Sequence, residues 1–571
     1  MSVIDWVVLI ITLLAIVIYG IYKSRGTHNI DGFFLGNQSL PWYHVTLSVM
    51  ATQASAITFL SAPGLAYSKG MSFVQFYFGL PLAMIVLCIT FVPIFHRLKV
   101  YTAYEFLEKR FDMKTRALTA FLFLIQRGLS TGITIYAPSI ILSTILNIDT
   151  TYTTLFIGGL VILYTVYGGT RAVSYTQLLQ MSIIFSGLFV AGIMVVHLLP
   201  GNIGFSDALQ IAGKMGRTNA IDWSFDWDNQ YTVWSGLIGG FFLQLSYFGT
   251  DQSQVGRYLT GSSVGQSRLG LLMNGLVKIP MQFLILMIGV LVFAFYQFNQ
   301  PPIFFNSYEL NKVEKSEYSG KLKQLKTDYA QAFQDKRAQV NELNLAIEAN
   351  DQAAITRHRS VLQSADEKTK AIREDAVNLM LKNDPNADTN DNNYIFLSFV
   401  TRYLPQGLIG LLIAIIFLAS MGSTASALNS LTSTTVIDVY KRFLNKDGSD
   451  IKYLSVSRWT TIVWGLFCVL MALYASKLGN LIEAVNILGS LFYGTILGIF
   501  VVAFYFKKIG GSATFKAAII TEGFVFTFWL TDAMAFLWLN IAGCLILVIV
   551  AWLLEMFTSR PPVASTMNTG Q

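Results

Sequence analysis

Thirteen apolar stretches, each long enough to cross a lipid bilayer as a helix, constrain this chain more than any other feature. A hydrocarbon layer about 30 Å thick takes about 20 residues of helix, and unpaired backbone is not tolerated against lipid. The stretches fall near residues 3–22, 41–66, 72–95, 117–145, 152–168, 177–199, 232–253, 270–297, 395–436, 455–475, 482–506, 513–531 and 535–556. The first reads as a helix and not a signal peptide, because it is long, carries Asp5 ahead of its apolar part and lacks a small-residue cleavage site before Tyr22. The expectation is an all-α integral membrane protein of about thirteen transmembrane helices.

Charge agrees with that reading. Only 13% of the 571 residues are charged, about half the share of a soluble domain. Much of that charge sits in one segment, 305–392, which holds 13 Lys/Arg and 15 Asp/Glu and leaves 27 basic against 18 acidic residues elsewhere. That excess marks cytoplasmic loops and not a nucleic-acid surface. The basic loops are 23–40, 96–116, 169–176, 254–269, 437–454 and 507–512, which places the amino terminus outside and the tail, 557–571, in the cytoplasm of a plasma-membrane protein. The charged segment reads as two polar helices, about 309–348 and 352–382. It is an external lid, a partner-binding hairpin or a solvated decoration, and no obligatory protein partner is evident.

Cys88, Cys468 and Cys544 lie singly in apolar runs, and the five histidines are scattered. Neither a disulfide framework nor a zinc site follows. No nucleophile or acid/base constellation stands within the membrane part, so an enzyme is not expected. About fifteen residues follow the last span, which leaves no room for a sensor's output domain. A channel would need uninterrupted pore helices with charged rings.

Two spans are too polar for anchors. Span two carries Ala51-Thr52-Gln53-Ala54-Ser55-Ala56-Ile57-Thr58 and then Pro63-Gly64; span seven carries Gly239-Gly240, Gln244, Ser246, Tyr247, Gly249 and Asp251. Broken helices at membrane depth free carbonyls that can coordinate a cation, and corresponding breaks in two halves point to inverted repeats around a central site. Close packing of small residues would give similar stretches. Arg127 and Lys278 lie inside spans four and eight, where each costs roughly 2.5–3.5 kcal/mol, so each needs a partner: an anionic or hydroxylated solute, or an intramolecular acid or carbonyl. Span nine adds Ala419-Ser420-Met421-Gly422-Ser423-Thr424-Ala425-Ser426, a source of small oxygen ligands.

At these residues the chain resembles the sodium:solute symporter family. The resemblance is carried by Tyr67-Ser68-Lys69-Gly70, Tyr104 to Phe111, Tyr136-Ala137-Pro138-Ser139, Tyr167 to Val173, Gln252 to Tyr258, Leu428-Asn429-Ser430 and Asp438-Val439-Tyr440-Lys441. It implies a five-plus-five inverted-repeat, LeuT-like core whose repeats each open on an unwound helix, and sodium-driven symport of a small solute by alternating access, with no organic cofactor. The expected organisation is an extra helix at 1–23, a first repeat at 41–199, the first two helices of the second repeat at 231–304, the insertion at 305–392, the rest of the second repeat at 393–506 and two further helices at 513–556.

The resemblance also assigns residues. Sodium would fall on backbone oxygens of Ala51, Ala54 and Ala419 and on a hydroxyl pair at Gly422 and Ser423, of which Gly422 lacks the hydroxyl. Gln177 stands where the family has a carboxylate, so proton coupling or uncoupled transport remains an alternative. Positions that bind sugar in the family's sugar symporters fall on Thr58, Tyr77, Leu80, Gln244, Lys278 and Asn486, and only the lysine is retained. Gln53, Ser55 and Thr58 with Arg127 resemble the hydroxyl-plus-arginine set of sialic acid symporters, and Tyr247 the aromatic that closes the site from inside. The expected solute is an organic anion, a sialic acid or another carboxylate, with a sugar as the alternative.

Overall fold

The computed structural model describes residues 1–24, 38–98, 100–201 and 203–558. Helices dominate it, and apart from an isolated bridge between Leu40 and Gly261 the described residues form no sheet. The helices used below are α1 (Val3–Ser24), α2 (Trp42–Gln53), α3 (Ala56–Lys69), α4 (Met113–Leu146), α5 (Thr150–His197), α6 (Phe205–Lys214), α7 (Gly240–Thr250), α8 (Gln252–Tyr258), α9 (Val264–Phe298), α10 (Ser319–Glu348), α11 (Gln352–Asn383), α12 (Leu408–Ser433), α13 (Asp450–Ala472) and α14 (Leu481–Tyr505). Two more apolar helices, Gly511–Leu530 and Phe536–Thr558, close the chain.

Among the described residues ten helices are long and apolar enough to cross a membrane, and α2 with α3, bent by 61°, makes an eleventh. The expected thirteen falls to this number because two spans are short. Thr150–Val166 is one of them. The other is divided between a π turn, Ser235–Gly239, and the 11 residues of α7. Span nine also starts later than expected: Ile395–Tyr403 is a separate helix, and the membrane helix begins at Leu408.

α5 is helical from Thr150 to His197, yet the Tyr164 and Thr176 hydroxyls lie 3.1 Å apart. Twelve residues of straight helix would separate them by about 18 Å, so the chain folds back between them and supplies two spans. The side chains of residues 167–172 lie outside the described set, as do residues 25–37 and 559–571, so the basic side chains Arg25 and Arg171 and part of the Tyr167–Val173 stretch are not placed.

α12 is the central helix, its most apolar window 89% buried against 24% for α1 and 28% for α13. The start of α12 is tied to α1 by Asp5, whose Oδ1 accepts from the Gly407 and Gly410 amides at 2.6 and 3.3 Å. This puts the amino terminus and the α10–α11 hairpin at the same end of the bundle. At the other end Arg116 of α4 donates to Asp438 and Glu108 at 2.6 and 2.7 Å, and Arg442 pairs with the same Glu108.

A candidate sodium and solute site

The bend between α2 and α3 is a change of hydrogen-bond partners as well as of direction. In a continuous helix the Ser55 amide would donate to the Ala51 carbonyl and the Thr58 amide to that of Ala54. Instead Ser55 donates to Gln53 and Thr58 to Ser55, each at 3.0 Å. The carbonyls of Ala51 and Ala54 are thereby released from helical pairing. Small residues around 51–56 permit the crowded bend, and Ser55, a residue type favoured at helix starts, opens α3 with φ −86° and ψ 175°. α12 packs on both halves, and Thr52 meets Ser426 at 3.2 Å between hydroxyls.

On α12 the Ser423 hydroxyl donates to the carbonyls of Ala419 and Ser420 at 2.9 and 3.1 Å, so its lone pairs stay available to a cation. Gly422 has no side chain to offer. A Cβ there would lie 2.5 Å from Oε1 of Gln180, a buried oxygen with no hydrogen-bond partner. The residues offer oxygens of a kind that fits sodium: two released carbonyls at the bend, the Ala419 carbonyl and Ser423 hydroxyl on α12, and an orphaned amide oxygen beside the position that lacks its hydroxyl. Neutral hard oxygens at a helix break suit a monovalent cation.

Gln177, which stands where the family resemblance puts a carboxylate, is a neutral hub. It accepts from Ser48 at 2.7 Å and donates to Ser426, Thr52 and the Gly422 carbonyl at 3.0–3.3 Å. Its amide group ties α2, α5 and α12 together without charge.

The second broken helix is interrupted at Asp251 and not at Gly239–Gly240, which lie at a π turn that leads into α7. Asp251 Oδ1 caps α8 through the Ser253 amide and hydroxyl at 2.8 and 2.6 Å. Its Oδ2 pairs with Arg127 and accepts from the Tyr493 hydroxyl at 2.9 Å. Arg127 also reaches Tyr493, at 3.1 Å, and stacks on the Tyr247 ring with 5.5 Å to its centre. Of the two partners expected for this guanidinium, a solute or an internal acid, the structure supplies the acid; its Nε, however, is buried with no partner.

A small cavity, about 90 Å³ by the room it leaves for water centres, joins Gln53, Ser55, Thr58, Tyr77, Arg127, Tyr247 and Asn486. Gln126, Phe76, Leu243 and Tyr493 complete its walls with three apolar residues. Two expected residues stand behind that lining. Lys278 is fully buried with no hydrogen bond, its ammonium 5.6 Å from the centre of the Tyr77 ring. Gln244 is fully buried with both amide atoms unpartnered. Tyr247 accepts from Gln254 at 2.7 Å, which helps to fix its ring in the cavity wall. Sequence reading passed over Asp251 and Tyr493 as site residues. The signal for Asp251 was present: a buried arginine requires a buried acid, and this one ends the polar span.

The sequence profile of the sodium:solute symporter family matches residues 33–307 and 382–521. The chain belongs to that family. Among relatives, the human sodium/iodide cotransporter is 32% identical over 274 residues, which is 48% of this chain but only 42% of that protein's length. The sodium/glucose cotransporter of Vibrio parahaemolyticus is 26% identical over 535 residues, 91% of this chain and 83% of that one. A solved structure of a Na+-coupled sialic acid symporter, substrate-bound and outward-open, superposes with a TM-score of 0.75 at 21% identity and covers 98% of both chains. The fold of this symporter is therefore the LeuT-like one, it is a multi-pass membrane transporter, and sodium-coupled symport is the activity of its family. The relatives' names differ in solute.

Proposed function

We propose that this symporter couples inward movement of sodium to uptake of a small organic anion such as a sialic acid or another carboxylate. The observation that carries the solute class is the placement of Arg127 on the wall of the central cavity, beside Gln53, Ser55 and Thr58, with Nε unengaged. A guanidinium has five donors in a planar fork, so an incoming carboxylate can be received while Asp251 keeps its contact. The hydroxyls of Ser55 and Thr58 and the amide of Asn486 then orient the hydroxylated body of the solute, and Tyr77 and Phe76 exclude water above it.

Sodium would be held by the carbonyls of Ala51, Ala54 and Ala419, Ser423 and the orphaned Gln180 oxygen. When bound it supplies a positive charge at the bend. The protein's own part in the cycle is to keep α2–α3 and α12 apart or joined at that bend, while the α7–α8 break, pinned by Asp251, moves Tyr247 over the solute. We place the amino terminus outside and the carboxyl tail inside on the distribution of Lys and Arg, with repeats at 41–199 and at 231–304 with 393–506.

A neutral sugar is the second reading, and the Arg127–Asp251 pair favours it, because it leaves the cavity without net charge. Proteoliposome uptake of labelled N-acetylneuraminate and galactose, with sodium or choline outside, separates the two. Sodium-dependent uptake of the acid alone is expected. Galactose uptake without acid uptake overturns the anion reading, and equal uptake in choline overturns sodium coupling.

A further inference from the structure

The family profile stops at residue 307 and resumes at 382, so a site built partly from the hairpin belongs to this chain and not to the shared scaffold. Such a site is present. A cavity of about 280 Å³, larger than the central one, lies where the α10–α11 hairpin covers the ends of α3 and α9.

Its charge is unbalanced. Arg217, Lys336, Lys370 and Arg373 line it against two carboxylates, Asp366 and Asp391. Asp366 is already held by Lys336 at 2.7 Å and Lys370 at 2.9 Å. Asp391 is held by Arg373 at 2.7 Å and by the Phe305 amide at 2.8 Å. Arg217 pairs with no carboxylate among the described residues; its Nε is buried without a partner, and its guanidinium lies 4.9 Å above the centre of the Phe293 ring.

Arg217 is also held in place by design of the chain around it. Gly216, at φ +77°, ends α6: its amide donates to Gly213 at 2.9 Å and that of Arg217 to Ala212 at 2.8 Å, the paired bonds of a glycine-terminated helix. The Arg217 carbonyl then accepts from the Met71 amide at 3.1 Å, past Gly70, which has φ +83° and no room for a Cβ.

The hairpin gives up packing at the same depth. Its buried seam repeats every seven residues, as Leu322, Tyr329 and Leu343 on α10 and Ile355, Leu362 and Ala376 on α11. The two members of those repeats that are not apolar or aromatic are Lys336 and Thr369, and both line the cavity. A polar residue at a seam position costs a coiled coil stability and is kept where it has another use.

We propose that this chamber binds a carboxylate-bearing organic anion, its carboxylate against Arg217 and Lys336 and its body against Phe293 and Tyr67, before the anion reaches the central cavity. The inference rests on the organic-anion reading above, and the experiment separates the two. Purified full-length protein in detergent with sodium is titrated calorimetrically with N-acetylneuraminate, lactate and benzoate, as wild type, Arg217→Gln, Arg217→Lys and the double variant Ser55→Ala/Thr58→Val. Two binding events are expected for at least one acid. Arg217→Gln should remove one of them and raise the KM for uptake of that acid about tenfold, the loss of one charge-assisted contact, with little change in kcat. Arg217→Lys should retain most of the binding, and the double variant should retain the Arg217-dependent event. Arg217→Gln protein that binds all three acids as wild type does, or wild type that binds none of them in an Arg217-dependent way, overturns the chamber. Arg217-dependent binding that persists while no acid is taken up and Ser55→Ala/Thr58→Val changes nothing overturns the anion reading of the central cavity and leaves the chamber standing.

Discussion

Arg127 and Arg217 each face a cavity, and the protein treats them in opposite ways. Arg127 sits among membrane helices, where an unpaired charge is costly, and Asp251, Tyr493 and the Tyr247 ring surround it. Arg217 sits under the polar hairpin with an aromatic face and, among the described residues, no carboxylate in ion-pair contact, since the nearby Asp366 is held by Lys336 and Lys370. The comparison shows where a membrane transporter can carry uncompensated charge. Within the membrane bundle Arg127 arrives with its acid; under the polar hairpin Arg217 keeps an open position that a ligand can fill. Burial still weakens its hold on its proton relative to an ordinary arginine.

The largest effect should come from breaking the compensated pair. Asp251→Asn leaves Arg127 buried without its acid, a change that costs about 3–5 kcal/mol in buried ion pairs, and it also weakens the cap of α8. Thermal unfolding in detergent should show a large drop and uptake should cease. The double variant Arg127→Gln/Asp251→Asn should recover part of the stability without recovering uptake. A single variant as stable as the double would mean that Arg127 does not depend on Asp251, and the contrast with Arg217 would fail.

Lys278 is the limiting case for that contrast, because it is fully buried within α9 with no hydrogen bond. Replacing it with an unbranched apolar side chain, Lys278→Met, should raise stability by about 1–3 kcal/mol, the cost of an unmet buried polar group. Uptake should fall if its ammonium serves the solute. A variant less stable than wild type would show that Lys278 is paired in the working protein.

A smaller effect is expected at the bend between α2 and α3. Ser423→Ala and Gln180→Leu should each raise the sodium concentration needed for half-maximal thermal stabilisation about tenfold, the loss of roughly one oxygen contact. Gly422→Ser tests the geometry: its Cβ would meet the Gln180 oxygen at 2.5 Å, so the new hydroxyl should help only when Gln180→Ala makes room. Improved sodium affinity from Gly422→Ser alone would show that the Gln180 oxygen does not occupy that space.

What the sequence made legible was what depends on local composition. Long apolar runs gave the spans, and the polar stretches at 51–58 and 244–251 gave both broken helices, because a bend in lipid needs small and polar residues at the bend itself. Seven of the nine expected solute residues line one cavity. What stayed hidden depends on register and on pairing across the fold. Asp251 and Tyr493 reach Arg127 from positions 124 and 366 residues away in sequence. The fold-back within α5 replaces an expected loop. The hairpin's seam is diluted by Lys336, Asn344 and Thr369 among its buried residues, and the unmatched Arg217 becomes visible only when every neighbouring acid is assigned to another cation.

The smallest effect is expected at the hairpin tip, and it tests whether the chamber belongs to the base of the hairpin alone. Lys336 pairs with Asp366 across the arms. Antiparallel register then sets Val340 opposite Leu362, four residues, about one turn, further toward the tip on each arm. Removing residues 341–361 and joining Val340 to Leu362 through a short Gly/Ser loop therefore keeps the Lys336–Asp366 layer and everything on the core side of it. The deleted part carries Leu343, Ile347 and Ile355, which are buried in one apolar cluster with the membrane bundle, so its loss removes packing but none of the residues that line the chamber. Some stability should be lost with that packing, but KM should stay within about twofold of wild type, in contrast to the tenfold rise expected from Arg217→Gln. If the shortened protein instead copies the KM of Arg217→Gln while still unfolding cooperatively, the tip holds the chamber closed, and the unbalanced charge at the rim is sheltered by the whole hairpin and not by its base.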